Sequence, residues 1–397
     1  HPSAAAAAAA AAPRLRYRLT PGRLSIPALC RYLLGPRWQA AYEACLWVNT
    51  VATMWLYAVI FSVSAAGAVP LPGLAGAPAA CDWGAAGWVP ELPGAECRAA
   101  YWAWLALYGA AVALLAAGPP RPIVQLTLTA FGLACIFTMV LTASAALAAA
   151  PFPGAPHAPG RHMAEVPLLL SPEGFARAFG TFVFSQMCQQ GVPQLLEVMA
   201  APRRQANAAF ALGLSATFAC YLALGLVCAL FFGNATQDVV TLNWKDYTAE
   251  RARASGFARA VSYLVRLFPV VSVTAAFPLN AVCLGDALHA RLFGGGGSGA
   301  GGAAAGGRKG AAVAARRRTL CRWAVCLLPL AGASVLSSIA FLTSAIGLCG
   351  IFIAFVVPGA LQLVSVRKVR RRLAMGAGGG ADQEGVAAAA AAVLRAP

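Results

Sequence analysis

The chain has 397 residues, of which 60% are hydrophobic and 11% charged, and its mean hydropathy is +0.69. Soluble domains carry about 45–50% apolar and about 25% charged residues, so this composition excludes an ordinary soluble enzyme and a chain disordered over most of its length. A formal net charge of +17, from 30 Lys and Arg against 13 Asp and Glu, belongs in such a chain to membrane-flanking loops, and no nucleic-acid partner is expected.

Residues 1–37 form a basic segment that opens on His1, carries an alanine run at 4–12 and lacks a three-part secretory signal; the chain is expected to be a piece of a longer product. Eight apolar stretches follow, at 38–66, 101–117, 123–150, 175–199, 208–233, 259–288, 320–339 and 343–364. Each is long enough to cross a bilayer as a helix, the second only just. The runs are continuous, which excludes the alternating wall of a membrane β-barrel. Backbone amides in lipid have to be satisfied within the segment, which leaves helix. The expected fold is therefore an all-α membrane protein, a multi-span helical bundle with about eight transmembrane helices. Six fall within 38–293 and two within 319–366, separated by a flexible Gly/Ala linker at 294–318 and followed by a basic, then low-complexity tail at 367–397.

Basic residues fall on alternate connections. They precede the first span (Arg14 to Arg37), sit in the second and fourth loops (Arg121, Arg203, Arg204), crowd the sixth (Arg291 to Arg322) and resume in the tail (Arg367 to Arg395). The alternation predicts that both ends are cytoplasmic. On that topology Asn234-Ala235-Thr236, a glycosylation sequon, lies outside, and so do Cys81 and Cys97, which share one loop and are expected to form a disulfide. The other ten of the 12 cysteines lie in or beside apolar runs without CxxC spacing and read as packing residues. No metal site is expected, because none of the four histidines sits mid-membrane or belongs to a ligand motif. No cofactor and no catalytic constellation is visible, so an enzyme is not expected.

The informative stretch is the fourth span, whose centre runs from Thr181 through Ser185, Gln186, Cys188, Gln189, Gln190, Gly191 and Pro193 to Gln194. Glutamines are costly against lipid and have to face protein, water or a ligand. Gly191 and Pro193 weaken the helix beside them. Two readings stand: a kink with glutamines bonded between helices, or a broken helix whose exposed carbonyls and amides hold a zwitterion or an ion. In the sixth span Pro269 and Pro278 mark a second irregularity, where Ser272 and Thr274 either bond freed carbonyls or line a site. Asn49, Thr50 and Thr53 make a polar stripe on the first span, serving either an interhelical bond or a ligand. Arg266, a cation well inside a span, either snorkels or meets a substrate carboxylate.

The run Phe182-Val-Phe-Ser-Gln-Met-Cys-Gln-Gln-Gly-Val-Pro193, then Pro202 and a next span ending Phe231-Phe232-Gly233, resembles the amino acid/auxin permease superfamily. The stretches 238–243, 267–282, 340–347 and 355–358 add to the likeness, which covers about residues 25–370 and is specific over 175–285. The resemblance implies a fold of eleven helices, two inverted five-helix repeats and a last helix, with broken first and sixth helices around a central site. The eight spans would then be helices three to ten, with helices one, two and eleven missing, and the fourth span would be the broken sixth helix.

The resemblance further implies a secondary active transporter of amino acids or similar small zwitterions, working by alternating access with a coupling proton or sodium ion. Its substrate-binding candidates here are Thr181, Ser185, Cys188, Gln189 and Gly191, with Asn49, Thr53, Ser272 and Thr274 as further lining residues. Gln189 stands where many relatives have His, which removes a titratable group. The membrane would be the plasma membrane or a lysosomal or vacuolar one. The alternative is a non-transporting receptor or scaffold with a transporter-like fold.

Overall fold

The computed structural model describes residues 26–73, 81, 87–92, 94–118, 122–149, 172–185, 187, 202–233, 236–237, 239–247, 256–293 and 308–377. Among these the structure is helical, with one isolated antiparallel bridge between Trp88 and Leu336. Ten α-helices follow in chain order: α1 (Ile26–Leu33), α2 (Pro36–Ala68), α3 (Ala95–Ala117), α4 (Pro122–Ala149), α5 (Pro172–Ser185), α6 (Pro202–Phe232), α7 (Gly256–Phe293), α8 (Arg308–Ala333), α9 (Ile339–Ile351) and α10 (Val357–Ala377). Five stretches of helix among the described residues are long and apolar enough to cross a membrane: Pro36–Ala68, Ala95–Ala117, Asn207–Phe232, Gly256–Phe293 and Ile339–Arg370. The protein is an all-α, multi-span membrane protein.

The chain divides into two compact units, residues 47–350 and residues 1–46 with 351–397. In the larger unit one apolar cluster joins Met54, Leu56 and Val59 of α2 to Tyr101, Leu105 and Tyr108 of α3, Val273, Phe277 and Ala281 of α7, and Leu342 and Ile346 of α9. Phe61 stacks on Tyr108 with ring centroids 4.2 Å apart, and Tyr108 meets Phe277 edge-on at 5.5 Å. A second cluster gathers Met139 and Ala143 of α4, Phe231 and Phe232 of α6, and Val261 and Val265 of α7 around Trp244. Trp244 lies on the short 3₁₀ segment Val240–Asp246; its indole donates to Thr142 Oγ1 at 3.0 Å, and its carbonyl accepts from Ser262 Oγ at 2.7 Å. Four-residue spacing along α7 thus sends its first half to one cluster and its second half to the other.

In the smaller unit α1 packs on α10, and Trp38 stacks on Phe352 at 6.0 Å with an interplanar angle of 9°. Between α9 and α10 the helix widens into one π-helical stretch, Phe352–Val356. Cys30 of α1 is fully buried, and that burial pushes its thiol above the ordinary range.

Four boundaries differ from those expected. Pro269 and Pro278 do not interrupt α7, which is one helix of 38 residues. Each proline frees the carbonyl four residues back, Val265 for Pro269 and Thr274 for Pro278, and side-chain bonds brace other carbonyls along the same stretch. Tyr108 donates its hydroxyl to the Val273 carbonyl at 3.1 Å, and Thr274 Oγ1 and Asn280 Nδ2 donate back to Val270 and Ala276 at 2.6 and 3.2 Å.

Of the linker expected at 294–318, residues 308–318 belong to α8, and 294–307 lie outside the described residues. The stretch from Lys309 onward is rich in Ala, Arg and Lys, strong helix formers. The seventh span ends at Ala333, not at 339, and residues 334–338 are unwound. Their carbonyls have better donors elsewhere: Trp55 Nε1 reaches Leu336 at 3.1 Å, Tyr101 reaches Ala333 at 2.8 Å and Trp102 Nε1 reaches Ser334 at 3.1 Å. Val89 N donates to Val335 O at 2.9 Å and Ser337 N to Gly87 O at 3.1 Å, a two-strand clasp. The fourth span is helical over Pro172–Ser185; of its remainder, 186 and 188–199 lie outside the described residues.

Candidate functional site

Helix α5 has 14 residues, which at 1.5 Å each make about 21 Å, short of the roughly 30 Å of hydrocarbon in a bilayer. It stops at Ser185, at the start of the polar stretch. Ser185 Oγ donates to Phe182 O at 2.8 Å and Met187 N donates to Phe184 O at 3.1 Å, which closes the last turn. Thr181 is exposed and Ser185 half-buried.

Glycines seat this helix on α9. A methyl group on Gly180 would stand 3.2 Å from Ser344 Cα, and one on Gly347 would fall onto the backbone of Gly180. One on Gly350 would touch Met187 Sδ at 2.5 Å and Val183 Cγ1 at 3.4 Å. The two backbones are therefore in contact, as small residues permit between membrane helices. Sequence reasoning missed these positions. The G-x-x-G spacing of Gly347 and Gly350 was the available signal, and it does not say which helix lies opposite.

The other candidates sit elsewhere. Asn49 and Thr53 are buried on α2, at 3% and 6% exposure, and Thr53 Oγ1 donates to Asn49 O at 2.7 Å. Asn49 Oδ1 is buried and has no hydrogen-bond donor among the described residues. Ser272 lines a cavity of about 650 Å³ between α4, α6 and α7, together with Gly132, Thr217, Cys220, Tyr221 and Phe268. Thr274, two residues further along α7, is not among the lining residues and bonds its own helix. The described candidates are distributed over α2 (Asn49, Thr53), α5 (Thr181, Ser185) and α7 (Ser272, Thr274). Cys188, Gln189 and Gly191 lie outside the described residues, as does Asn234 of the sequon.

Arg266 neither snorkels nor stands in the cavity. It is 8% exposed, and its Nη2 donates to the carbonyl of Gly67, in the last turn of α2. The negative end of a helix dipole is a favourable partner for a guanidinium. Tyr263 lies against it, 5.9 Å from ring centroid to Cζ. An ion pair joins α7 and α8, where Arg322 holds Asp286 with two bonds of 3.0 and 3.1 Å and also donates to Ala116 O at 3.3 Å. Gly285 makes room for it: a methyl there would stand 2.7 Å from Arg322 Cα. Cys81 and Cys97 are joined by a disulfide with Cα atoms 5.8 Å apart. Among the described residues no group of His, Cys, Asp and Glu has the makings of a metal site.

Five long apolar helical stretches among the described residues define a multi-pass membrane protein. The chain belongs to the transmembrane amino acid transporter protein family, whose family model it matches over residues 16–371. It is similar to human transmembrane protein 104, 32% identical over 119 residues that make 30% of this chain and 23% of that protein. It is also similar to the Caenorhabditis elegans homolog of transmembrane protein 104, 30% identical over 115 residues (28% of this chain, 21% of the relative), and to the mouse protein, 32% identical over 112 residues (28% and 21%). The aligned segments span between a fifth and a quarter of those relatives' length. No solved structure matches the chain.

Proposed function

We propose that this protein is a secondary transporter that carries amino acids or similar small zwitterions across the membrane by alternating access. The observation that carries the reading is the end of α5 at Ser185, directly before Gln186, Cys188, Gln189 and Gly191 in sequence. The carboxyl end of a helix bears partial negative charge and suits an ammonium group or a cation. The glutamine amides offer donors to a carboxylate. Membership of a transporter family supports the same reading. Asn49 supports it too, since its buried acceptor oxygen suits a substrate donor.

On this proposal both ends of the chain are cytoplasmic, Asn234 carries glycan on the opposite side, and a proton or sodium ion drives uptake. The membrane is the plasma membrane or a lysosomal or vacuolar one. Purified protein reconstituted in vesicles and given radiolabelled neutral amino acids is expected to accumulate at least one of them. Ser185→Leu with Gln189→Leu is expected to abolish accumulation while leaving insertion and elution profile intact. Unchanged uptake by that variant removes the end of α5 from the site.

A further inference from the structure

The smaller unit carries a charge pattern that transport does not use. Its described residues include Arg31, Arg37, Arg367, Lys368, Arg370, Arg371 and Arg372 against a single acid, Glu43, which accepts from Gln39 at 2.7 Å. Arg31 and Tyr32 end α1, and Arg367, Lys368 and Arg370 lie on α10; all five are exposed, Tyr32 at 68%. Lys368 ties the two helices together. Its Nζ donates to Tyr32 O at 3.3 Å, at the negative end of α1, and lies 5.2 Å from the Tyr32 ring centroid. Arg367 and Arg370, three residues apart on α10, share one face of that helix. The stretch Ile339–Arg370 is itself a candidate membrane span, so these side chains stand where an apolar crossing ends. An exposed tyrosine beside guanidinium groups at such an end matches the chemistry of the headgroup layer.

We propose that the end of α1 and the basic turn of α10 form a binding surface for anionic phospholipid headgroups, with Arg31, Arg367 and Arg370 contacting phosphate and Lys368 holding the two helices in register. Phosphates of a membrane leaflet are the occupant that fits. The described surface is strongly positive, and guanidinium forks match phosphate oxygens. The inference is independent of the transport reading, and its test requires no substrate.

The full chain in neutral detergent is titrated with a short-chain phosphatidylinositol bisphosphate, and the lipid concentration giving half-maximal thermal stabilisation is recorded. Each basic side chain near an anionic surface contributes roughly fivefold in affinity. The variant Arg31→Gln/Arg367→Gln/Arg370→Gln is therefore expected to need roughly a hundredfold more lipid. The matching Lys variant, which keeps the charges, is expected to stay within a few-fold of the parent. Short-chain phosphatidylcholine is expected to give no shift, and inorganic phosphate none at the same concentration. The proposal is overturned by equal responses of parent and Gln variant, by an equal shift with phosphatidylcholine, or by an equal shift with inorganic phosphate, which would mark a site for the free ion. If the Gln variant does not fold, the parent's lipid, phosphatidylcholine and phosphate arms still decide.

Discussion

Alanine at position 347 tests the contact that holds α5 in place. In an open helix interior, Gly→Ala stabilises by roughly 0.5–1 kcal/mol, because alanine loses less backbone freedom on folding. At Gly347 the new methyl meets the backbone of Gly180, far inside the 3.4 Å where ordinary contact begins. Neither partner is a side chain that can rotate away, so the helices have to part by on the order of 1 Å. Overpacking of this kind costs about 1–3 kcal/mol. The helix gain offsets part of it, leaving a net loss of about 1–2 kcal/mol. Gly213→Ala and Gly225→Ala on α6 serve as references, because nothing lies within 4 Å of a methyl at either place. They are expected to match or slightly exceed the parent. Thermal unfolding of all three variants in one detergent gives the comparison, and uptake by Gly347→Ala is expected to fall with the displacement of Ser185. Stability of Gly347→Ala equal to that of Gly225→Ala would refute the direct backbone contact.

Three further outcomes follow from particular contacts. Replacing Cys81 and Cys97 with serine opens a loop of 16 residues and is expected to cost about 3 kcal/mol, read as a lower unfolding temperature that reductant reproduces in the parent but not in the variant. A double-mutant cycle of Asp286→Asn and Arg322→Gln is expected to give a coupling of about 1 kcal/mol or less, since the carboxylate is 44% exposed; a coupling near zero in low salt would show that the pair contributes nothing. Tyr108→Phe removes the hydroxyl from the Val273 carbonyl in a fully buried setting and is expected to destabilise by about 1–3 kcal/mol, measured in the same unfolding assay.

The spans were legible because apolar length is a local property. The expected 38–66 and 259–288 lie inside α2 and α7, and Cys81 and Cys97 stood out as two cysteines in one short polar loop. What the chain could not reveal is which partner each local weakness meets. Two prolines in α7 looked like a break, yet they sit in one continuous helix packed into both apolar clusters. Residues 334–338 looked like a crossing and are unwound, because Trp55, Tyr101 and Trp102 claim carbonyls at and beside them. Arg266 carried two readings from sequence, and neither named its partner at the end of α2, the Gly67 carbonyl, which is invisible from α7 until the helices are packed. Ser272 was singled out for its neighbours in sequence, but its cavity partners Thr217 and Cys220 lie on a helix whose sequence is uniformly apolar around them.

These contrasts bear on where solute is handled. Among the described residues, three of the places where a membrane helix departs from regularity bear on this, and buried backbone groups there need partners. Along the proline-bearing stretch of α7 the carbonyls of Val273, Val270 and Ala276 accept from Tyr108, Thr274 and Asn280. At 334–338 the partners are two indoles, a phenol and a clasp with 87–89. Both are settled by neighbouring protein groups and hold the bundle together. The end of α5 differs in kind. Its described bonds are short-range ones within a single turn, Ser185 to Phe182 and Met187 to Phe184, and it is clamped from behind by glycines. On the proposed function, this helix end, seated against glycines with hydroxyl and amide side chains following in sequence, is where a small zwitterion would bind.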